Sequence, residues 1–80
     1  MTTRRIEKII GQNIAYYRHK KHLTQEELVR QLPSNSDEAR IVRQQLSKIE
    51  LGERHINVAL LYYIATVLEI DINCLLKEEH

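Results

Sequence analysis

Few residues in this sequence have types and spacing that could do chemistry on a bound group. His19 and His22 stand three positions apart, while His55 and Cys74 are distant in sequence. No pair therefore has a third ligand at a convincing spacing, and no metal site is expected. No Ser/His/Asp or Cys/His arrangement stands out. Cys74 falls on the apolar side of a C-terminal segment, where a core or interface role is expected rather than a reactive thiol. Two glycines in 80 residues leave no glycine-rich phosphate loop. The expectation is therefore a protein that is not an enzyme and carries no cofactor.

The charge pattern gives a different lead. The net charge is only +1, yet residues 1–54 carry eleven Lys/Arg against seven Asp/Glu, and residues 55–80 carry one Lys against four acids. A domain with a basic part and an acidic part can offer one face to a polyanion and keep the other off it. Eighty residues with 42% apolar and 29% charged side chains fit one globular domain spanning residues 1–80. No apolar run approaches the ~18–20 residues needed to span a bilayer, so no membrane association is expected. The first residues, Met1 to Arg5, contain no hydrophobic stretch of the signal-peptide kind. A single cysteine fits a reducing compartment, and a cytoplasmic location is expected.

The elements that must position these residues read as helices throughout. Ile6, Ile10, Ile14 and Tyr17 recur at helical spacing and predict a first helix from about Arg4 to about Lys21. Gly11 sits inside it at a cost in propensity, which points to close packing against another helix. Thr24 and Glu27 have the spacing of a capping box, with Leu23 and Leu28 placed as a hydrophobic staple. This second helix should run from about Gln25 to Leu32, stopped by Pro33. After the turn cluster Pro33–Ser36, two readings stand. One helix runs from Asp37 to Glu50, or a loop or single turn covers residues 37–41 and the helix starts near Val42. Val42, Leu46 and Ile49 would form its buried face, and Gly52 its left-handed end. Asn57 can cap a fourth helix with Leu60, Leu61, Ile64, Val67 and Leu68 on its apolar face. Asp71 can cap a fifth, from Ile72 to about Lys77. Of the paired tyrosines, Tyr17 and Tyr63 should point inward, and Tyr16 and Tyr62 outward.

Several of these segments carry more specific motifs. They are Ile10-Gly11-x-x-Ile14-x-x-Tyr17-Arg18, Leu23-Thr24-Gln25-Glu26-Glu27-Leu28, Leu46-Ser47-Lys48-Ile49-Glu50-Leu51-Gly52, and Leu60–Leu68 followed by Ile72–Leu76. In this order, over about four-fifths of the chain, they resemble the lambda-repressor/Cro-like helix-turn-helix (Xre) family. The resemblance implies an all-α, compact five-helix bundle. The sequence departs from the family pattern in four places. The link from Pro33 to Ile41 replaces a short turn. His22 stands where glycine is frequent, Val42 where a capping Ser or Thr opens the third helix, and Ile56 where proline is common.

The resemblance also implies a function: a sequence-specific DNA-binding transcription regulator, a repressor that binds a two-fold operator as a homodimer. Its third helix would lie in the major groove of double-stranded DNA. The base readers would be Arg43, Gln44, Ser47 and Lys48, with Gln45 flanking. Their chemistry suits this, since Arg can donate twice to guanine and Gln can pair in bidentate fashion with adenine. Thr24 and Gln25, at the start of the second helix, would meet phosphates, and Arg54, His55 and Asn57 would do so on the other flank. Arg18 and Glu50 would form a structural pair. The dimer contact would lie in the C-terminal helix, with Ile70, Ile72, Leu75 and Leu76. The alternative is an antitoxin-like or protein-interaction module on the same fold.

Overall fold

The structure, a computed structural model, describes residues 3–78. Met1, Thr2, Glu79 and His80 lie outside the described residues, and with them the start of the segment read for a leader and part of the acidic end. The chain is all-helical. Its elements are α1 (Thr3–Lys20), α2 (Gln25–Arg30), α3 (Arg43–Glu50) and α4 (Val58–Leu68), followed by a 3-10 turn (Ile72–Leu75). Ile14, Leu28, Leu46, Ile49, Ile64 and Leu75 are fully buried, so each helix and the 3-10 turn sends at least one side chain to a common centre.

The five-helix expectation is corrected to four helices and a turn. The Asp71 carboxylate caps the segment as expected, accepting from the Asn73 N–H (2.8 Å), but the backbone bonds that follow, Cys74 N–H to the Asp71 carbonyl (2.9 Å) and Leu76 N–H to the Asn73 carbonyl (3.1 Å), span three residues and make a 3-10 turn. The Asn13 side-chain amide donates to the carbonyls of Leu75 (2.9 Å) and Lys77 (2.8 Å) at the end of this segment. Asn13, a polar side chain in the middle of α1, is only 2% exposed. Conversely Ile6, assigned to the apolar face, is 42% exposed.

Three helices end in the same way. The N–H two positions past the last helical turn reaches back to an inner carbonyl: Leu23 to Arg18 (3.1 Å), Glu53 to Lys48 (2.9 Å) and Ile70 to Ala65 (3.0 Å). This motif needs a left-handed residue at its corner. Gly52 supplies it after α3 (φ 75°), but His22 (φ 58°) and Glu69 (φ 59°) supply it after α1 and α4. A side chain in this region costs free energy that glycine avoids. We expect His22→Gly to stabilise the fold by about 0.5–1 kcal/mol. A higher urea midpoint at unchanged slope would show this; a lower one would mean the imidazole makes a contact worth more than the backbone strain.

α2 ends at Arg30, two residues earlier than its apolar pattern implied. Pro33 biases Leu32 away from the α region, so the last turn is not completed. Leu32 instead tucks into the core at 8% exposure. The long link that follows is held by two further buried side chains, Ala39 and Ile41. Its Ser36–Ala39 turn closes through Ala39 N–H to the Ser36 carbonyl (3.2 Å). The Asn57 side-chain amide donates to the Glu38 carbonyl (3.0 Å), tying the link to the start of α4. Of the two sequence alternatives, the one in which a turn precedes a helix starting near Val42 is the one the structure adopts.

Candidate nucleic-acid interface

α3 is where the core and the exposed polar residues meet. Leu46 and Ile49 are buried, at 0% and 1% exposure. Arg43, Gln44 and Lys48 are exposed on the other side, with Ser47 half-buried between them. Val42 does not join the buried face as expected. It is the N-cap, in extended conformation (φ −105°, ψ 167°), and 56% exposed. Having left the helical path, its side chain no longer follows the helical period.

Valine has no oxygen with which to cap. The Gln45 side-chain carbonyl partly compensates by accepting from the Val42 N–H (2.9 Å). Gln45 thus closes the start of α3 rather than facing outward. The Val42-x-x-Gln45 spacing carries half of a capping-box signature, which was readable and missed. We expect Val42→Thr to add about 1 kcal/mol by supplying the missing acceptor. Thermal unfolding checks this, and an unchanged midpoint would show that the Gln45 bond already suffices.

The base of α3 is braced by a buried ion pair. Arg18 donates from Nε to Glu50 Oε2 (2.7 Å) and from Nη2 to Glu50 Oε1 (3.0 Å), and both side chains are under a tenth exposed. Arg18 Nη1 donates to the Leu23 carbonyl (2.8 Å), so the same guanidinium holds the α1–α2 turn. Glu50 Oε1 also accepts from the Gln25 side-chain nitrogen (2.9 Å). The Gln25 oxygen faces Arg43 Nη1 at 3.3 Å. One chain of hydrogen bonds therefore runs Arg18–Glu50–Gln25–Arg43, from inside α1 to the exposed start of α3.

The residues assigned to phosphate contacts are mostly engaged within the protein. The Thr24 hydroxyl accepts from the Glu27 N–H (3.1 Å), and the Glu27 carboxylate accepts from the Thr24 N–H (2.8 Å). The Glu27 carboxyl is held below its ordinary range, first by the Thr24 backbone N–H and then by its side chain. A negative charge therefore already sits at the start of α2. Asn57 caps α4 through the Leu60 N–H (2.7 Å) with its oxygen and holds the link with its nitrogen. His55 pairs with Glu7, whose side chain is 14% exposed, a contact the sequence did not reveal. Arg54 is exposed and forms no ion pair among the described residues, and the same is true of Arg43 and Lys48. These three cations lie on or next to α3.

No protein-family model matches this chain, and no curated protein is significantly similar to it. What the chain does has to be read from its own surface.

Much of the acidic C-terminal charge is taken up internally. Glu78 pairs with Arg5, and Glu69 with Lys21, which holds the Glu69 carboxyl below its ordinary range. Arg5 of α1 and Lys21 just after it are thereby paired, whereas Arg43, Lys48 and Arg54 around α3 form no ion pair among the described residues. The four apolar residues expected at a dimer contact differ in their exposure. Leu75 is fully buried, and Ile70 and Ile72 pack partly against the core, which leaves Leu76 as the exposed apolar member of that set. Larger exposed apolar residues stand on α4 instead, at Val58 (78%) and Tyr62 (57%). Among the described residues, no helix is long and apolar enough to cross a membrane.

Proposed function

We propose that this protein is a sequence-specific DNA-binding regulator of the lambda-repressor/Cro-like helix-turn-helix type, acting in the cytoplasm as a repressor. The observation that carries this is α3 itself. Arg43, Gln44, Ser47 and Lys48 share one outward side of a helix whose inward side, Leu46 and Ile49, is in the core. Such a helix presents a fixed set of donors and acceptors to the major groove. Its base is fastened to α1 and α2 by the Arg18–Glu50–Gln25 bonds, so the helix does not have to be ordered on binding. Arg54 supplies positive charge for a flanking phosphate. One such helix spans too few base pairs for a unique site, and a homodimer on half-sites about 34–36 Å apart meets that need.

Selection from a random duplex pool at two salt concentrations tests the proposal. Enrichment of an inverted repeat, with affinity falling steeply as salt rises, is the expected result. On the selected duplex, Arg43→Ala and Gln44→Ala should each weaken binding by about 1–3 kcal/mol and relax preference at one base pair. Unchanged base preference in both variants would remove α3 from the reading role.

A second reading has one observation in its favour. α4 carries no charged residue over its 11 positions, yet it exposes Val58 and Tyr62. On a protein-interaction module this face would receive a partner, and duplex selection would then enrich nothing.

A further inference from the structure

We propose that the pocket between the end of α2 and the long link binds a small apolar monocarboxylate, with its body in the pocket and its carboxylate against Arg30 and Arg40. The pocket is a half-open cavity of about 190 Å³. Val29, Leu32, Ala39 and Ile41 give it an apolar lining, and the last three are buried. Arg30 and Arg40 complete the wall, and both side chains are mostly exposed, which puts two cations at the mouth of an apolar hollow. The link from Pro33 to Ile41, which replaces a short turn of the family pattern, supplies most of this lining. It returns beside α2 at Ala39, where a single methyl leaves apolar space unfilled.

Unfilled apolar space forfeits dispersion contacts, and in a domain of 80 residues each lost contact weighs on a small total. An apolar ligand restores them. A cavity of about 150 Å³ lined by apolar side chains accepts benzene, so this one has room for a six-membered ring. The rim then selects the head group. Arg40 donates to Asp37 Oδ1 (2.8 Å), and Arg30 stands 4.0 Å from Glu26 Oε2. Exposed pairs of this kind are weak. A guanidinium has five N–H donors, so most remain for a second acceptor. Asp37 is 94% exposed and competes with water for its bond, whereas a carboxylate carried on a buried ring is held at the guanidiniums. The neighbouring acids Glu26, Asp37 and Glu38 are not part of the lining, so an ammonium head would meet the two cations first. The site goes beyond the DNA-reading proposal and does not depend on it.

The test titrates the whole chain, free of DNA, with three ligands that share one ring: benzoate, benzyl alcohol and benzylamine. Binding is followed through the amide NMR signals. We expect benzoate to shift the amides of Val29 to Leu32 and of Ala39 to Ile41 in a saturable way. It should bind about tenfold more tightly than benzyl alcohol, with benzylamine weakest. The double variant Arg30→Gln/Arg40→Gln should bring benzoate down to the affinity of benzyl alcohol and leave the alcohol unchanged. Both substitutions fall on exposed side chains, so the fold is kept. Ala39→Leu fills the cavity and should abolish binding of all three ligands; if that variant does not fold, the arginine variant decides alone. Shifts that do not saturate, or that scatter away from α2 and the link, would overturn the site. Equal affinities for the three ligands, or a benzoate preference that survives the loss of both arginines, would overturn the monocarboxylate assignment. Because no duplex is present, this outcome is independent of whether selection from a random pool succeeds.

Discussion

Glu50→Ala is expected to lower the unfolding free energy by about 3–5 kcal/mol, because it leaves the Arg18 guanidinium buried without its counter-charge. Three hydrogen bonds end on the Glu50 carboxylate, two from Arg18 and one from Gln25. Neither ion of the pair has water to turn to, since both side chains are under a tenth exposed. A domain of this size has about 4–12 kcal/mol in total, so the variant should sit close to the edge of folding. Urea denaturation followed by circular dichroism measures the loss. The pair itself need not be a large net stabiliser. Two opposite charges taken out of water lose hydration that their attraction only partly returns. The double variant Arg18→Met/Glu50→Leu is therefore expected to recover most of what Glu50→Ala loses. A double variant as unstable as the single one would mean that the pair contributes strongly in its own right.

The second large effect is expected at Gly11, although the substitution looks favourable on helix propensity. Alanine at a mid-helix glycine gains about 1 kcal/mol where nothing stands in the way. Here a Cβ on Gly11 would overlap the Ile49 carbonyl oxygen and lie 2.7 Å from that of Glu50. Both obstacles are backbone atoms of α3, so no side chain can swing aside. α1 and α3 would have to separate, which disturbs Ile49 and the Arg18–Glu50 bonds together. We expect Gly11→Ala to cost about 3 kcal/mol or more, beyond the usual range for overpacking. A variant more stable than wild type would show that the two helices can part without loss.

Much of this was legible in the sequence, where a signal is local. The capping box at Thr24 and Glu27, the Asn57 cap, the left-handed Gly52 and the close approach at Gly11 follow from residue types at fixed spacing. The Arg18–Glu50 bond stands in the structure where the family resemblance implied a pair. The misses share a cause, which is that long-range contacts leave no local pattern. Asn13 looks like any surface asparagine until the C-terminal segment folds over it. Glu7 gives no sign that His55 will cover it. The Asp71 cap was legible, whereas the Asn13 bonds to the carbonyls at the end of that segment were not. Among the interface residues, the sequence indicated the caps made by Thr24 and Asn57, but not that Gln25 and Gln45 would use their polar groups on the protein's own backbone and side chains.

The clasp between Asn13 and the carbonyls of Leu75 and Lys77, with the Arg5–Glu78 pair beside it, has a topological meaning. It closes the polypeptide into a ring, with the first helix and the last described residues at one seam. Closing so long a loop costs only logarithmically more entropy than closing a short one. Arg5 near the start of α1 and Glu78 at the last described position are thereby brought to the same corner of the domain, so the two ends of the described chain share one anchorage.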